Sequence, residues 1–208
     1  ASYSVVILRQ AIYSPLFWFY FRKRSFKLIS ECHSKVFEEL ALAKLPFITL
    51  VQKLSYSICQ TVIDAKISMT DEIAQYEKEL GFKKPIKAIS NGISIPVQPT
   101  GFKPFNGKTL DLIFVGSQLN PWHGLDRLLF SIEQYSGPVN FNIHIVGNIS
   151  NDIQSNFNLK KHKLLFYGVL PLAKVTDLYP KVTIGISSLT FFRCNLNEAC
   201  VLKTREYT

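Results

Sequence analysis

The sequence predicts an α/β fold composed of two doubly wound halves. Short apolar segments alternate with helical segments along most of the chain, and strands separated by single helices form parallel sheets. Residues 93–108 hold several prolines and glycines with little periodic pattern, which indicates a linker or a domain boundary. The composition, 47% hydrophobic and 19% charged over 208 residues, is typical of a globular protein with a sizeable core.

The first half of the chain predicts four strands and three helices. The strands are expected at 4–8, 26–30, 65–68 and 86–90, and the helices at 35–43, 45–61 and 70–80. The last of these helices has the clearest boundaries. Thr70 is placed to cap its N-terminus, Asp71 and Glu72 suit the positive end of the helix dipole, and Gly81 suits its C-terminal end.

In the second half the alternation of strand and helix is clearer. Strands are expected at 111–115, 141–146, 164–168 and 182–186, and helices at 124–135, at 171–179 and from about residue 201. The parallel arrangement predicted for these strands matters for function, because ligands of such folds bind at the carboxyl ends of the strands.

The formal net charge of +9 favours anionic partners such as phosphates, nucleic acid or an acidic membrane surface. No nucleic-acid-binding motif is present, so we expect no nucleic-acid partner. The aromatic run at 16–21 precedes Arg22, Lys23 and Arg24, and it suits either the core or the surface of an anionic membrane. No apolar stretch reaches the ~18–20 residues that cross a bilayer, and four dispersed cysteines fit a reducing compartment. We therefore expect a cytoplasmic protein, soluble or peripheral at the inner face of the cell membrane.

Two segments hold candidate ligand-binding residues at predicted strand ends. Gly116 follows the strand at 111–115 and permits a close approach of ligand or backbone, while His123 further along the same loop suits either a phosphate or the surface. This loop is neither a dinucleotide fingerprint nor a nucleoside-triphosphate loop. His33 ends the strand at 26–30 beside Glu31, where it suits either a sugar in a cleft or an ordinary loop.

The last eleven residues carry the third candidate. Glu198 and Glu206 lie eight positions apart and bracket Lys203 and Arg205. A helix beginning near residue 201 would direct free N–H groups and these cations at a phosphate, and Glu206 at a sugar hydroxyl. On spacing alone, two glutamates on a solvated helix are the more common structure. The sequence shows no acidic metal cluster and no cysteine spacing typical of zinc.

Taken together and in this order, three motifs resemble those of group 1 glycosyltransferases. They are Ile89-Ser-Asn-Gly-Ile93, Phe114-Val-Gly-Ser117 with Trp122-His-Gly-Leu-Asp-Arg127, and Asn197-Glu-Ala-Cys-Val-Leu-Lys-Thr-Arg-Glu-Tyr207. Members of this family are retaining, nucleotide-sugar-dependent enzymes of the GT-B fold, which has two Rossmann-like domains. The resemblance covers essentially the whole chain and is greatest to bacterial enzymes of surface-polysaccharide synthesis.

The resemblance assigns roles to individual residues. Glu198 would face the donor sugar, Glu206 would bind the ribose, and His33 would lie near the transferred sugar. The nucleobase would lie near Gly168. The diphosphate would bind at the remaining positions, which are Gly116, Ser117, His123, Val201, Leu202 and Lys203. Ser117 and His123 occupy positions where many relatives have arginine and lysine, so the usual pair of fixed charges on the diphosphate is altered.

The resemblance also implies the wider function. The donor would be a nucleotide-diphosphate sugar, the acceptor a glycan or a lipid-linked glycan, and no metal or other cofactor would be required. Residues 1–95 would belong to the acceptor-side domain, 96–108 to a linker and 109–208 to the donor-side domain. Both domains would be incomplete, so we expect little or no transferase activity from these 208 residues alone. The alternative is a non-catalytic α/β module that binds a nucleotide or a glycan.

Overall fold

The computed structural model describes residues 3–10, 12–92, 101–118, 120–149, 157 and 161–207, without the side chains of 117, 118, 205 and 206. The chain divides into two compact units, the first formed by 1–91 with 192–200 and the second by 92–191 with 201–208. Each unit contains a four-stranded sheet, and every strand pairing recorded in the two sheets is parallel. The predicted fold class, α/β with two Rossmann-like units, is confirmed.

The sheet of the first unit has its strands in sequence order. Strands β1 to β4 are Val5–Arg9, Lys27–Cys32, Ala65–Ser68 and Ile86–Ala88. Helices α1 to α4 are Pro15–Phe21, Val36–Leu42, Pro46–Thr61 and Asp71–Glu79. The N-cap predicted for α4 is present, since Oγ1 of Thr70 accepts a hydrogen bond of 3.2 Å from the backbone N–H of Ile73.

One face of the first sheet carries the core of this unit. Leu28 of β2 packs there with Tyr56, Cys59 and Ile63 from α3 and its C-terminal end. Tyr13, before α1, and Phe82, after α4, belong to the same buried cluster, and Phe17 and Trp18 of α1 pack against it. Part of the aromatic run therefore belongs to the core, whereas Leu16, Phe19 and Tyr20 are exposed.

The sheet of the second unit has the order β7-β6-β5-β8, so β5 and β6 are its two inner strands. Strands β5 to β8 are Thr109–Gln118, Asn140–Asn148, Lys163–Phe166 and Ile184–Ile186. Helices α5 to α7 are Leu125–Glu133, Leu172–Thr176 and Leu202–Glu206. Buried side chains alternate along the central strands between two apolar clusters, so the sheet is covered on both faces.

One prediction about the second half needs correction. The helix expected at 171–179 ends at Thr176, and a 3₁₀ turn follows at Tyr179–Lys181. Pro180 explains the early end, because proline has no N–H to donate and restricts the residue before it. Residues 192–200 group with the first unit, and the domain boundaries at 95 and 109 stay a prediction.

The segment proposed as a linker lies partly outside the described residues, which resume at 101. From there the chain already packs on the second unit: the backbone N–H of Lys103 donates to the carbonyl of Val182 at 2.8 Å, and the ring of Phe102 stacks on Tyr179. Among the helices that the structure describes, none is long and apolar enough to cross a membrane.

Candidate functional site

Three glycines lie where neighbouring strands of the second sheet end. Gly116 is near the end of β5, Gly147 near the end of β6, and Gly168 two residues beyond β7. The N–H of Gly147 donates to the carbonyl of Gly168 at 2.8 Å, and a Cβ on Gly147 would lie only 1.7 Å from the carbonyl oxygen of Gly116. The strand ends therefore approach one another so closely that no side chain fits at Gly147, where φ is +136°.

The pairing of β5 with β6 is also irregular at this point. Val115 pairs with Val146 and Gln118 with Asn148, so β5 carries one extra residue around Gly116 and Ser117. Such a bulge ends regular pairing and redirects the chain. The sequence identified Gly116 and Gly168, but it missed Gly147, whose signal was a glycine at the carboxyl end of the strand next to β5.

His123 follows β5 in the 3₁₀ turn Pro121–His123. Its Nδ1 accepts a hydrogen bond of 3.0 Å from the backbone N–H of Asn120, which leaves the proton of the neutral ring on Nε2. Burial, with the positive charge of Lys203 adding to it, lowers the pKa of His123 to about 4. This side chain is therefore a neutral N–H donor at physiological pH, and its role at a phosphate stays a prediction.

Lys203 lies in α7, and only 9% of its surface is exposed. Its Nζ lies 4.5 Å from the centroid of the Phe114 ring and has no hydrogen-bond partner among the described residues. Burial lowers the pKa of this ammonium group to about 8, so it is still mostly protonated at neutral pH. A buried cation without an acceptor is costly, and such groups are normally paired. An anion would supply the partner that this ammonium group lacks among the described residues.

The loop after β8 fixes the relative positions of these two residues. The hydroxyl of Thr190 donates to the carbonyl of Pro121 at 2.7 Å, and the N–H of Leu189 donates to the carbonyl of His123 at 2.9 Å. On the other side, the hydroxyls of Ser187 and Thr204 lie 2.7 Å apart, which ties the same loop to α7. The loop after β8 thus connects the turn that contains His123 to the helix that contains Lys203. The sequence did not suggest this role for Thr190.

Glu198 belongs to the first unit, where residues 195–198 are fixed to the N-terminal end of α4. Glu72 accepts hydrogen bonds from the backbone N–H groups of Asn197 and Glu198 at 2.8 and 2.7 Å, and Lys35 contributes a third at 2.8 Å. Lys35 also donates to the carbonyl of Asn195 at 2.6 Å. Burial alone would raise the pKa of Glu72, but these hydrogen bonds outweigh it and the pKa is lowered.

The Glu198 carboxylate itself accepts a hydrogen bond of 3.4 Å from the backbone N–H of Glu72. It therefore satisfies one of the free N–H groups at the start of α4, as a capping carboxylate does. Its role at the donor sugar stays a prediction. The sequence contains no local signal for the roles of Lys35 and Glu72 in this arrangement, because their partners are more than 120 residues distant in the chain.

The other predicted residues contribute less. His33 follows the carboxyl end of β2, with Nε2 at 3.2 Å from the Glu31 carboxylate but not in hydrogen-bonding geometry. Val201 precedes α7 and Leu202 begins it. The side chains of Ser117 and Glu206 lie outside the described residues. Within the described part of the chain, no group of three or more His, Cys, Asp or Glu side chains could hold a metal ion.

No protein-family profile matches this sequence, and no curated protein matches it significantly. Among solved structures, the chain is similar to the lipopolysaccharide outer core galactosyltransferase WaaB in its apo form, with a TM-score of 0.54 and 13% identity. The match covers 87% of this chain and 48% of that one, so the chain spans about half the length of that enzyme. The similarity is one of fold and supports the predicted glycosyltransferase-like architecture.

A second structure, the Glycosylation Associate Protein (Gap123) complex from Streptococcus agalactiae, matches at a TM-score of 0.40 and 14% identity. That match covers 98% of this chain and 40% of the other. At this level of similarity it adds nothing to the assignment of fold or function.

Proposed function

We propose that the second unit binds the diphosphate of a nucleotide sugar and that the protein is a retaining glycosyltransferase. The observation that carries the proposal is the buried ammonium group of Lys203, which has no hydrogen-bond partner among the described residues. A diphosphate would supply the missing negative charge and acceptor oxygens. The motif resemblance and the GT-B-like fold support the same assignment.

Three features would share the binding of the diphosphate. Lys203 supplies one full positive charge, and a hydrogen bond between charged groups is worth about 1.5–3 kcal/mol. His123 supplies a neutral donor from Nε2, since its Nδ1 is already occupied by Asn120. Gly116, near the end of β5, has no side chain to obstruct the approach of phosphate oxygens to the backbone. One cation and one neutral donor would thus replace the two fixed charges usual in relatives.

In the proposed reaction, negative charge develops on the departing diphosphate as its bond to the sugar breaks. Donors already in position stabilise that charge without reorganisation, so Lys203 and His123 would lower the barrier. The acceptor hydroxyl would attack on the face that the diphosphate leaves, which retains the configuration of the sugar. Glu198 and His33 would face the sugar and Glu206 the ribose, and the reaction would need no metal. The acceptor would be a glycan or lipid-linked glycan of a surface polysaccharide.

Isothermal titration of the chain with uridine, guanosine and adenosine diphosphate sugars tests the donor site. We expect one of the three nucleotides to bind, and Lys203→Met to weaken that binding by about 10- to 150-fold, as the loss of a charged hydrogen bond implies. Lys174→Met, on an exposed lysine of the same unit, is the matched control and should leave the affinity unchanged. Absence of binding, or equal affinity of the Lys203→Met and native chains, would contradict the proposal.

A non-catalytic nucleotide- or glycan-binding module is the second candidate. It is favoured by the engagement of Glu198 with the N-terminal end of α4, because a carboxylate used as a helix cap is not free to act on a sugar. Release of nucleoside diphosphate from the donor in the presence of a lipid-linked acceptor distinguishes the candidates. Turnover that Glu198→Gln abolishes, with donor affinity retained, supports the enzyme. Because the chain spans about half the length of the matched galactosyltransferase, this assay uses the full-length protein, in which donor binding without turnover supports the module.

A further inference from the structure

The outward faces of α1 and α3 carry large apolar side chains. On α1 these are Leu16, Phe19 and Tyr20, and on α3 they are Phe47, Leu50, Leu54 and Ile58; together they define the α1–α3 apolar surface. Phe47, Leu54 and Ile58 recur at spacings of seven and four residues and fall on one stripe of the helix. The exposed face of a helix in a globular protein is normally polar, so an apolar stripe at its centre indicates a binding surface.

The two helices present this surface to the same side of the first unit. Both pack onto one face of the sheet through the same apolar cluster, in which Phe17 and Trp18 of α1 adjoin Tyr56 and Cys59 of α3. The N-cap residue of α1 is bonded to α3, since the Cys59 thiol donates to the carbonyl of Ser14 at 3.4 Å. Side chains on the faces opposite the sheet therefore point outward together.

The exposed charged residues that lie within α3 or closely flank α1 and α3 include four cations. Arg22 and Lys23 directly follow α1, Lys44 precedes α3, and Lys53 lies within it. Neither α1 nor α3 contains a carboxylate. The Arg22 guanidinium lies 4.5 Å from the ring centroid of Phe19, which places a cation directly beside an exposed aromatic ring. An open cavity of about 410 Å³ lies where α2 meets α3, and Lys44, Leu50 and Lys53 are among its lining residues.

We infer that the α1–α3 apolar surface docks on an anionic lipid bilayer. The apolar side chains would enter the boundary between headgroups and acyl chains, and the four cations would lie at the level of the lipid phosphates. A second copy of the chain suits the surface less well. A two-fold interface joins the same patch of both copies, so it would bring two groups of four cations together with no carboxylate from either helix.

Vesicle sedimentation, without nucleotide, tests this inference separately from the diphosphate site. The native chain should bind vesicles containing one-third phosphatidylglycerol in phosphatidylcholine, and bind pure phosphatidylcholine much less. Replacing both cavity lysines (Lys44→Gln with Lys53→Gln) should weaken binding about 30-fold. Each lysine near an anionic membrane contributes about 1 kcal/mol, and about 1.4 kcal/mol corresponds to about tenfold in affinity. Lys108→Gln with Lys163→Gln removes two exposed lysines of the second unit and should have little effect.

The apolar half of the surface needs its own variants. Leu50→Gln with Leu54→Gln, at side chains 53% and 75% exposed, should reduce binding at least tenfold while circular dichroism shows an unchanged fold. Phe19→Ser with Tyr20→Ser provides a second, independent pair, and Phe130→Ser on α5 is the control. Absent binding, equal binding to both vesicle types, or unchanged binding of both apolar variants would overturn the inference. So would a dimer in light scattering that Leu50→Gln with Leu54→Gln dissociates, in the absence of vesicle binding.

Discussion

Two lysines are buried among the described residues, one in each unit, and their surroundings differ in one respect. Lys66 of β3 and Lys203 of α7 each lie over an aromatic ring, at 4.4 Å from Phe82 and 4.5 Å from Phe114. Lys66 forms an ion pair with the buried carboxylate of Glu77 and lies 3.3 Å from the hydroxyl of Tyr56. Lys203 has no such partner in the described structure.

The two lysines differ in whether the described residues satisfy the buried charge. The carboxylate of Glu77 also accepts hydrogen bonds from Tyr56 at 2.5 Å and from Gln10 at 3.3 Å, so the group around Lys66 is internally satisfied. Burial, and then the negative charge of Glu77, raise the pKa of Tyr56, which keeps this phenol protonated as a donor. Burial instead lowers the pKa of Lys203, whose Nζ has no hydrogen-bond partner among the described residues. We propose that the first lysine stabilises the fold and that the second binds an anion.

The largest expected effect comes from breaking the satisfied pair. Glu77→Gln leaves Lys66 buried without a counter-charge, and this should lower the free energy of unfolding of the first unit by about 3–5 kcal/mol. Urea unfolding measured by fluorescence in a Trp122→Phe background reports this unit alone, because Trp18 is then the remaining tryptophan. Glu79→Gln, on an exposed carboxylate of the same helix, should change the free energy by less than about 0.5 kcal/mol. A loss below about 1 kcal/mol for Glu77→Gln would show that the pair is not structural.

The strand ends beside the Lys203 site should show the next largest effect. Gly147→Ala should cost about 3 kcal/mol of stability in the second unit, because its Cβ would lie 1.7 Å from the carbonyl oxygen of Gly116 at a φ that L residues rarely adopt. Gly168→Ala is the comparison, since no atom lies within 4 Å of its added Cβ and only the positive φ is unfavourable. It should cost about 1–2 kcal/mol. Equal costs would mean that the close approach of the strands is not maintained in solution.

The pH dependence of diphosphate binding should report the protonation of Lys203 directly. The free protein loses the proton of Lys203 above a pKa of about 8, so affinity should fall about tenfold per pH unit from there to pH 9.5. Stability without ligand should change in the opposite direction. The unfolded chain holds this proton more tightly than the folded one, so the free energy of unfolding should rise over the same interval.

Titration calorimetry between pH 7 and 9.5 measures the affinity, and Lys203→Met is the control. Its residual affinity should not fall over the interval in which native affinity declines. His123 should contribute no pH dependence there, because its pKa is about 4. An equal decline in both proteins would assign the titration to another group.

Local sequence patterns predicted most of the fold because its elements have local causes. The α4 helix was delimited by Thr70, which caps it, and by Gly81, which follows it at a φ of +93°. The strand at 65–68 was placed correctly, but nothing nearby indicated that Lys66 is buried. Its partner is eleven residues away on a helix, and only the packing of that helix on the sheet brings them together.

The candidate site was predictable only in part for the same reason. The sequence placed Gly116, His123 and Lys203 at strand and helix ends, where parallel α/β folds bind ligands. It could not show that the Lys203 ammonium group lies beside the Phe114 ring with no acceptor among the described residues, nor that Thr190 holds the turn that contains His123. It also could not attach 195–198 to α4, because that depends on Glu72 and Lys35 more than 120 residues earlier in the chain.

We propose above all that the charge of Lys203 serves a ligand rather than the fold. Urea unfolding of the second unit, followed by Trp122 in a Trp18→Phe background, tests it with and without the best-binding nucleoside diphosphate. Without ligand, Lys203→Met should be as stable as the parent or up to about 2 kcal/mol more stable, since an apolar side chain replaces an unpaired buried charge. With ligand at about 100 times its dissociation constant, the parent should gain about 2.7 kcal/mol and the variant much less. A variant that is destabilised without ligand, yet gains as much as the parent from the diphosphate, would contradict the account.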